Sequence, residues 1–519
     1  MNRRKFCKLA SVAAGSMAGL DVGVGGLRAA TTSNPQEYPE IASSDPETPE
    51  FHGPRVIGAT PGRPFLLQVP YTGHGPVTIT AAGLPDGLQM DQAGRIFGKI
   101  AKAGRYDVRL SASNHYGHAH RILRLVAGQH KLALTPPMGW NSWYAFALSN
   151  TAERSIGAAE AMVKHGLANK GYMYINLDDG WQGGRTKSGE IMPARHFGNV
   201  QSLAAGVHRL GLRFGLYSSP GPQTCGHHTG SYGHEWQDAQ TYARWGTDYL
   251  KYDWCSYGAV ATGSGLDRFV KPYRVMRQAL DRVGRDIVFG LCQYGMAHVW
   301  TWGSKAPVWG NVYRTSNDII DTWPTVCRNS FDVEADLYPF AGPGHWNDPC
   351  MLMCGWGYFW SGKLRPTRLT PHEQLTQFTL WCMLAAPLFM GCDLNRLDSF
   401  TISLLTNTEV ISVNQDELGI QARRVDRQGA VEVWARPLWD GTCAVALFNR
   451  GPHAAAGHIA KWDMLDRILP RGAAPMRGAQ RVRDLWRRKS LGLIKGLSVN
   501  IPSHSAVMLK VGVSHIRDG

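Results

Sequence analysis

Two stretches decide the fold: Tyr174-Ile-Asn-Leu-Asp-Asp-Gly-Trp181 and Asp248-Tyr-Leu-Lys-Tyr-Asp-Trp-Cys255. Each is a short apolar run, suited to a strand buried on both faces, that stops on carboxylates and a tryptophan. Six more runs share that character: Pro137-Met-Gly-Trp, Arg213-Phe-Gly-Leu-Tyr, Asp286-Ile-Val-Phe-Gly-Leu, Asn311-Val-Tyr-Arg, Gly344-His-Trp-Asn and Pro387-Leu-Phe-Met-Gly. Amphipathic helical segments separate several of them, as at 266–283. The helix before the last strand opens on a capping box, Thr370-Pro371-His372-Glu373, with proline at its first position. Eight strand–helix repeats over about 280 residues predict a (β/α)8 TIM barrel across 129–418.

Outside the barrel the pattern changes to short alternating strands. Between 51 and 128, Pro64-Phe-Leu-Leu-Gln-Val69, Val77-Thr-Ile-Thr80 and Tyr106-Asp-Val-Arg-Leu-Ser-Ala-Ser113 predict a β-sandwich. Its Gly83-Leu-Pro-Asp-Gly-Leu88, Gly94-Arg-Ile-Phe-Gly98 and Ala103-Gly-Arg-Tyr-Asp-Val108 resemble the immunoglobulin-like modules attached to bacterial surface proteins and hydrolases. No aromatic cluster stands out there, so a scaffold is the preferred reading over a glycan-binding module. Val431-Glu-Val-Trp-Ala435, Cys443-Ala-Val-Ala-Leu-Phe448 and Ser505-Ala-Val-Met-Leu-Lys-Val511 predict a second β-sandwich over 419–519, an antiparallel C-terminal domain.

The first thirty residues read as a twin-arginine signal peptide. Arg3-Arg4-Lys5-Phe6 precedes a small-residue run, and Leu27-Arg28-Ala29-Ala30 offers a cleavage site, although Asp21 interrupts the run. A proline-bearing polar linker spans 31–50. This implies a periplasmic or secreted protein, and no stretch has the length of a membrane span. Removing Cys7 leaves nine cysteines, so at least one stays unpaired within the chain. Cys350 and Cys354 lack a second pair at zinc spacing, which argues against a metal site there.

Hydrophobic residues make up 44% and charged residues 18%, a balance that suits packed cores and excludes disorder. The net charge is +15, and ten Lys/Arg against three Asp fall between Lys461 and Lys495. A solvated basic face is the preferred reading of that stretch, and nucleic acid is not an expected partner.

Barrel enzymes build their sites at the C-terminal ends of the strands. Those positions here carry Asp178 and Asp179, then Lys251 and Asp253, then Arg314 and Asp318, and finally Asp348. A lone aspartate at a strand end is more often a cap, as Asp348 can be. Several at one barrel mouth repel one another unless function or neighbouring cations hold them there. Lys251 and Asp253 are two apart and face the same side, so a cation is expected beside that carboxylate. Glycoside hydrolysis needs two carboxyls, and spacing alone does not choose the pair.

The segment from Leu134 to about Arg450 resembles glycoside hydrolase family 27, the α-galactosidases. The resemblance rests on Pro136-Pro-Met-Gly-Trp-Asn-Ser-Trp143, Asn176-Leu-Asp-Asp-Gly-Trp181, Gly215-Leu-Tyr217, Gly233-His-Glu, Tyr249-Leu-Lys-Tyr-Asp253-Trp-Cys255 and Arg314-Thr-Ser-Asn-Asp318-Ile-Ile-Asp-Thr-Trp323. Trp346-Asn-Asp-Pro349, Ala385-Ala-Pro-Leu and Gly391-Cys-Asp-Leu complete it. It implies a retaining exo-glycosidase for terminal α-galactose, with Asp253 as nucleophile, Asp318 as acid/base and carboxyls about 5–5.5 Å apart. It further implies that Asp178 and Asp179 grip O4 and O6, that Trp140 lines the sugar pocket, and that Lys251 and Arg314 hold hydroxyls. A Cys225–Cys255 disulfide follows from it, and no metal or organic cofactor. The expected partner is a galactose-containing oligosaccharide or polysaccharide; the oligomeric state is left open.

Two positions depart from the common pattern. Cys350 follows Pro349 where many members have Asp, and Cys292-Gln293-Tyr294-Gly295 replaces Cys-Glu-Trp-Gly beside the sugar's 2-position. Cys292 and Tyr294 therefore bear on whether C2 carries a hydroxyl or an N-acetyl group. The alternatives are α-N-acetylgalactosaminidase or β-L-arabinopyranosidase activity on the same site, or a non-hydrolytic glycan-binding protein.

Overall fold

All eight apolar runs form parallel strands in the computed structural model, which describes residues 37–43 and 45–513. They are β1 (Met138–Asn141), β2 (Tyr174–Asn176), β3 (Arg213–Ser218), β4 (Tyr249–Tyr252), β5 (Val288–Leu291), β6 (Val312–Arg314), β7 (Trp346–Asp348) and β8 (Leu388–Met390). Successive strands from β1 to β7 are hydrogen-bonded neighbours, and β8 pairs with β1. The sheet curls into a barrel because β7 and β8 meet through a short seam. Leu352, just past β7, bridges Met390 in parallel; its N–H donates to Phe389 O at 2.8 Å and its carbonyl accepts the Gly391 N–H at 3.1 Å. The segment expected to be a signal peptide lies outside the described residues.

Helices α1 (Ala152–Lys164), α2 (Val200–Arg209), α3 (Glu235–Trp245) and α4 (Asp267–Arg282) follow the first four strands. α4 buries Tyr273, Met276 and Leu280 on one face, as its periodicity requires. The expectation of a helix in every repeat fails after β5, where only a 3₁₀ stretch, Met296–Thr301, forms. Tyr294, Gly295, Ala297 and His298 all have positive φ there, and such residues do not propagate a right-handed helix.

Helix α5 (Pro371–Met383) precedes β8 and starts with the expected capping box, Thr370 and Glu373 bonding reciprocally. It is buried almost all round, one side on the barrel and the other under the C-terminal sheet. Trp486 Nε1 donates to Thr379 Oγ1 at 2.9 Å, and buried Arg436 donates to Cys382 O at 3.1 Å. That sheet has six strands, and a two-stranded ribbon, Ala455–Ile459 with Leu497–Ile501, covers it around Val433, Leu447, Trp462 and Leu509.

The N-terminal strands form a four-stranded and a three-stranded sheet around Ile57, Leu67, Ile96, Val108 and Leu125. This module sits against the N-terminal ends of the barrel strands, the face opposite the expected chemistry. The Thr60 N–H donates to Asp286 Oδ2 at 2.7 Å, just before β5, and Arg213, the first residue of β3, donates to Leu66 O at 2.8 Å. Among the described residues no helix is long and apolar enough to cross a membrane.

Candidate active site

The strand ends carry the expected residues to one mouth. Asp253 follows β4 and is fully buried. Its Oδ2 accepts the Tyr217 hydroxyl at 3.0 Å, and its Oδ1 accepts the Trp254 N–H at 2.8 Å and the Tyr294 hydroxyl. Hydrogen bonds to a carboxylate are directional, so these donors fix where its two oxygens point. Tyr217 ends the apolar run of β3 and Tyr294 comes from the loop after β5, so Asp253 is held from both flanking strands.

Lys251 brings in a second carboxylate. Its ammonium ion-pairs with Asp178 Oδ2 at 2.5 Å and lies 5.3 Å from the Tyr217 ring centre. The cation two residues before Asp253 thus pairs with the carboxylate after β2, and the donors on Asp253 include two tyrosines that sequence reasoning gave no such role. Asp178 also takes the Asp179 N–H, and Asp179 Oδ2 takes the Gly226 N–H at 2.6 Å. The side chain of Asp178 and one oxygen of Asp179 are thereby fixed before any ligand arrives.

Gly226 is delivered by its neighbour. Cys225 and Cys255 are disulfide-bonded with Cα atoms 5.0 Å apart, as expected. Both sulfurs lie 3.9 Å from the Tyr294 hydroxyl, and Cys255 Sγ lies 3.5 Å from that of Tyr217. The bridge therefore packs against both tyrosines that hold Asp253. These sulfurs and an Asp253 oxygen lie within 4.8 Å of one another, but bonded sulfurs are not thiolate ligands.

Across the mouth, Arg314 ends β6 and donates to Asp318 Oδ1 at 3.1 Å and to Ser316 O at 3.2 Å. The Gly295 N–H donates to Arg314 O at 2.9 Å, tying the β5 and β6 loops together. Cys292, at the end of β5, reports how closely the charges converge. Burial, then the Asp253 carboxylate, pushes its thiol well up, Lys251 and Arg314 pull it down, and Asp318 pushes it up again. One neutral thiol thus senses both proposed catalytic carboxylates and both cations.

Trp140 on β1 is fully buried and donates Nε1 to Cys392 O at 2.7 Å, so it shows no ring face to solvent. Asp348, whose carboxyl burial pushes up, accepts the Cys350 N–H at 2.8 Å and caps its loop. Tyr294 and Trp360 are half-buried, whereas the side chain of Asp318 is only 7% exposed.

Three family models match the chain: alpha galactosidase A over residues 135–416, the alpha galactosidase C-terminal beta sandwich domain over 428–511, and an Ig domain over 48–126. The chain is 37% identical over 399 residues to alpha-galactosidase A of Cellvibrio japonicus, covering 73% of this chain and 93% of that one. A solved alpha-galactosidase/melibiase structure from Bacteroides fragilis superposes with a TM-score of 0.82 at 34% identity, covering 89% of this chain and 97% of the other. A β-L-arabinopyranosidase from Geobacillus stearothermophilus superposes with a TM-score of 0.63 at 28% identity, covering 74% and 98%.

Proposed function

The chain belongs to the alpha-galactosidase family of glycoside hydrolases, and from that premise we propose that Asp253 and Asp318 divide a retaining hydrolysis of α-galactosides between them. Hydrolysis of α-galactosides is the activity of the family; the assignment of residues is our reading. The observation that carries it is the contrast between the two carboxyls. Both oxygens of Asp253 are held, by two phenolic hydroxyls and a backbone N–H, whereas the Asp318 side chain, 7% exposed, meets the Arg314 guanidinium through Oδ1.

In the first step an Asp253 oxygen attacks the anomeric carbon from the face opposite the leaving group. The C1–O bond breaks, and Asp318 gives its proton to the departing oxygen. In the second step Asp318 takes a proton from water, the water oxygen attacks C1, and the Asp253 ester bond breaks to release α-galactose. Asp318 must therefore hold a proton in the first step and be ionised in the second.

Asp178 and Asp179, held by Lys251 and the Gly226 N–H, are suited to accept from O4 and O6. An acceptor placed for axial O4 selects galactose over glucose, because the wrong epimer leaves a buried carboxylate unmatched. Tyr294 bears on the second reading. Its hydroxyl donates to Asp253 and lies 3.9 Å from both bridge sulfurs, and a tyrosine committed there favours a 2-hydroxyl over an N-acetyl group. Export through the first thirty residues is part of this proposal, and a disulfide beside the site suits an oxidising compartment.

Azide tests the division of labour. Asp318→Ala should turn over a dinitrophenyl galactoside, be accelerated by azide, and give the α-galactosyl azide, because the anion attacks the covalent intermediate. Asp253→Ala forms no intermediate, so any azide product should be the β-anomer. The opposite pair of anomers by NMR exchanges the two roles.

A further inference from the structure

The barrel seam holds a second pair of cysteines outside the catalytic chemistry. Cys354 and Cys392 are both buried, with their sulfurs 3.9 Å apart. They lie where β7 and β8 come together. Leu352 bridges Met390 in parallel, and two residues further along each chain stand Cys354 and Cys392. Backbone hydrogen bonds pin the two segments on both sides of the pair. The Gly391 N–H donates to Leu352 O at 3.1 Å before it, and the Asp393 N–H donates to Trp356 O at 2.6 Å after it. Paired parallel segments run about 4.8 Å apart, inside the Cα window of a disulfide. A Cβ built on Gly355, the neighbour of Cys354, would lie 3.6 Å from Cys392 Cβ, so nothing separates the two chains here.

We propose that Cys354 and Cys392 are a disulfide site, a covalent staple across the one seam of the barrel that lacks a continuous strand ladder. Closure needs only rotation of the two thiols toward each other, since the backbone is already placed. Two S–H bonds break and one S–S bond forms. Two protons leave, and two electrons pass to a small-molecule or protein disulfide, which is reduced to two thiols by exchange. Hydrogen bonding from Cys354 and then burial push the Cys392 thiol well up, so the folded molecule exchanges slowly, and closure belongs to folding or to brief opening of the loop. The staple also reaches the first strand of the barrel: the Cys392 carbonyl accepts Trp140 Nε1 at 2.7 Å, so fixing Cys392 fixes the partner of that buried ring.

The test is differential alkylation of protein produced in an oxidising compartment, and of the reduced protein incubated with oxidised glutathione near its unfolding temperature. The expected result is a peptide linked through Cys354 and Cys392 beside the Cys225–Cys255 peptide. Alkylation is then confined to Cys292, Cys327, Cys350, Cys382 and Cys443 after denaturation. The oxidised protein should also unfold several degrees above the reduced one, and Cys354→Ser should lose part of that gain while retaining the part due to Cys225–Cys255. Cys354 and Cys392 both taking alkylating agent after both treatments would overturn the proposal, as would a gain unchanged in Cys354→Ser.

Discussion

Glu334→Gln is expected to stabilise the protein at neutral pH, which is unusual for a change at a fully buried ionisable residue. Glu334 lies behind the loop that carries Arg314 and Asp318, between Thr315 and Gln421, whose Nε2 donates to Glu334 Oε2 at 3.3 Å. Burial pushes its carboxyl from the ordinary 4.5 up to about 8, against the pull of Thr315 and Gln421, so it is a neutral acid at pH 7. Thr315 Oγ1 also reaches Asp348 O at 3.3 Å, so it can donate there while accepting the acid proton of Glu334. Glutamine reproduces that pattern: its Nε2 donates to Thr315 and its Oε1 accepts from Gln421. Between the two pKa values the folded protein holds one proton more than the unfolded chain. Stability is therefore full below the unfolded pKa and falls as pH rises toward the folded one, by about 1.4 kcal/mol per unit. The loss between pH 5 and pH 8 is about 4 kcal/mol, and glutamine, which does not titrate, escapes it. At about 2 °C per kcal/mol for a unit of this size, the melting temperature of the variant relative to the wild type should rise by about 8 °C over that range. Thermal scans of both proteins at pH 5, 6, 7 and 8 measure the difference. A difference that stays flat with pH, or a variant less stable than the wild type at pH 8, would refute a neutral Glu334.

Lys251→Met leaves the buried Asp178 carboxylate without its lysine, which should cost about 3–5 kcal/mol of stability and most of the activity; chemical denaturation beside kinetics checks both. Tyr217→Phe and Tyr294→Phe each remove a hydrogen bond worth about 1.5–3 kcal/mol to the charged Asp253. Each should lower kcat/KM by about tenfold or more with the fold intact by circular dichroism, and an unchanged kcat/KM in both would show that these hydroxyls do not prepare the nucleophile. Gly295→Ala would set a Cβ 2.3 Å from Thr315 O at a φ of +78°, so the loop must shift and carry Tyr294 away. Near-normal activity in that variant would show that the loop position is dispensable. In a galactose complex the Asp253 and Asp318 carboxyls should lie about 5–5.5 Å apart, and a separation beyond about 9 Å in the closed site would count against retention.

The barrel was legible because each strand is a short apolar run that ends on residues poorly suited to a core. Those ends mark the mouth as well as the strands. The ion pair of Lys251 was not legible from neighbours along the chain. In a barrel, alternate strands contribute to one layer, so a residue of β4 meets one following β2. Counting even strands together would have drawn Asp178, Lys251 and Arg314 into one set. Helix α5 showed its start through the capping box, but its burial on both sides left no polar stripe to define the rest. The loop after β5 defeated the repeat pattern because its left-handed residues include Tyr294, Ala297 and His298, which no glycine rule predicts. Tyr217 was visible only as part of a motif, since nothing local tells a tyrosine at a strand end that its hydroxyl will meet a carboxylate two turns of chain away. Glu334 escaped because its partners come from β6 and from residue 421, far apart in sequence.

The most direct test of the account is to trap the covalent intermediate. A fluorinated galactosyl fluoride that slows both steps but keeps an activated leaving group should inactivate the enzyme with one sugar per chain. Digestion and tandem mass spectrometry should place that sugar on the peptide containing Tyr249 to Cys255, at Asp253. A sugar on Asp318 or another carboxylate, or continued turnover with no label on a competent enzyme, would contradict the assignment of Asp253 as the nucleophile.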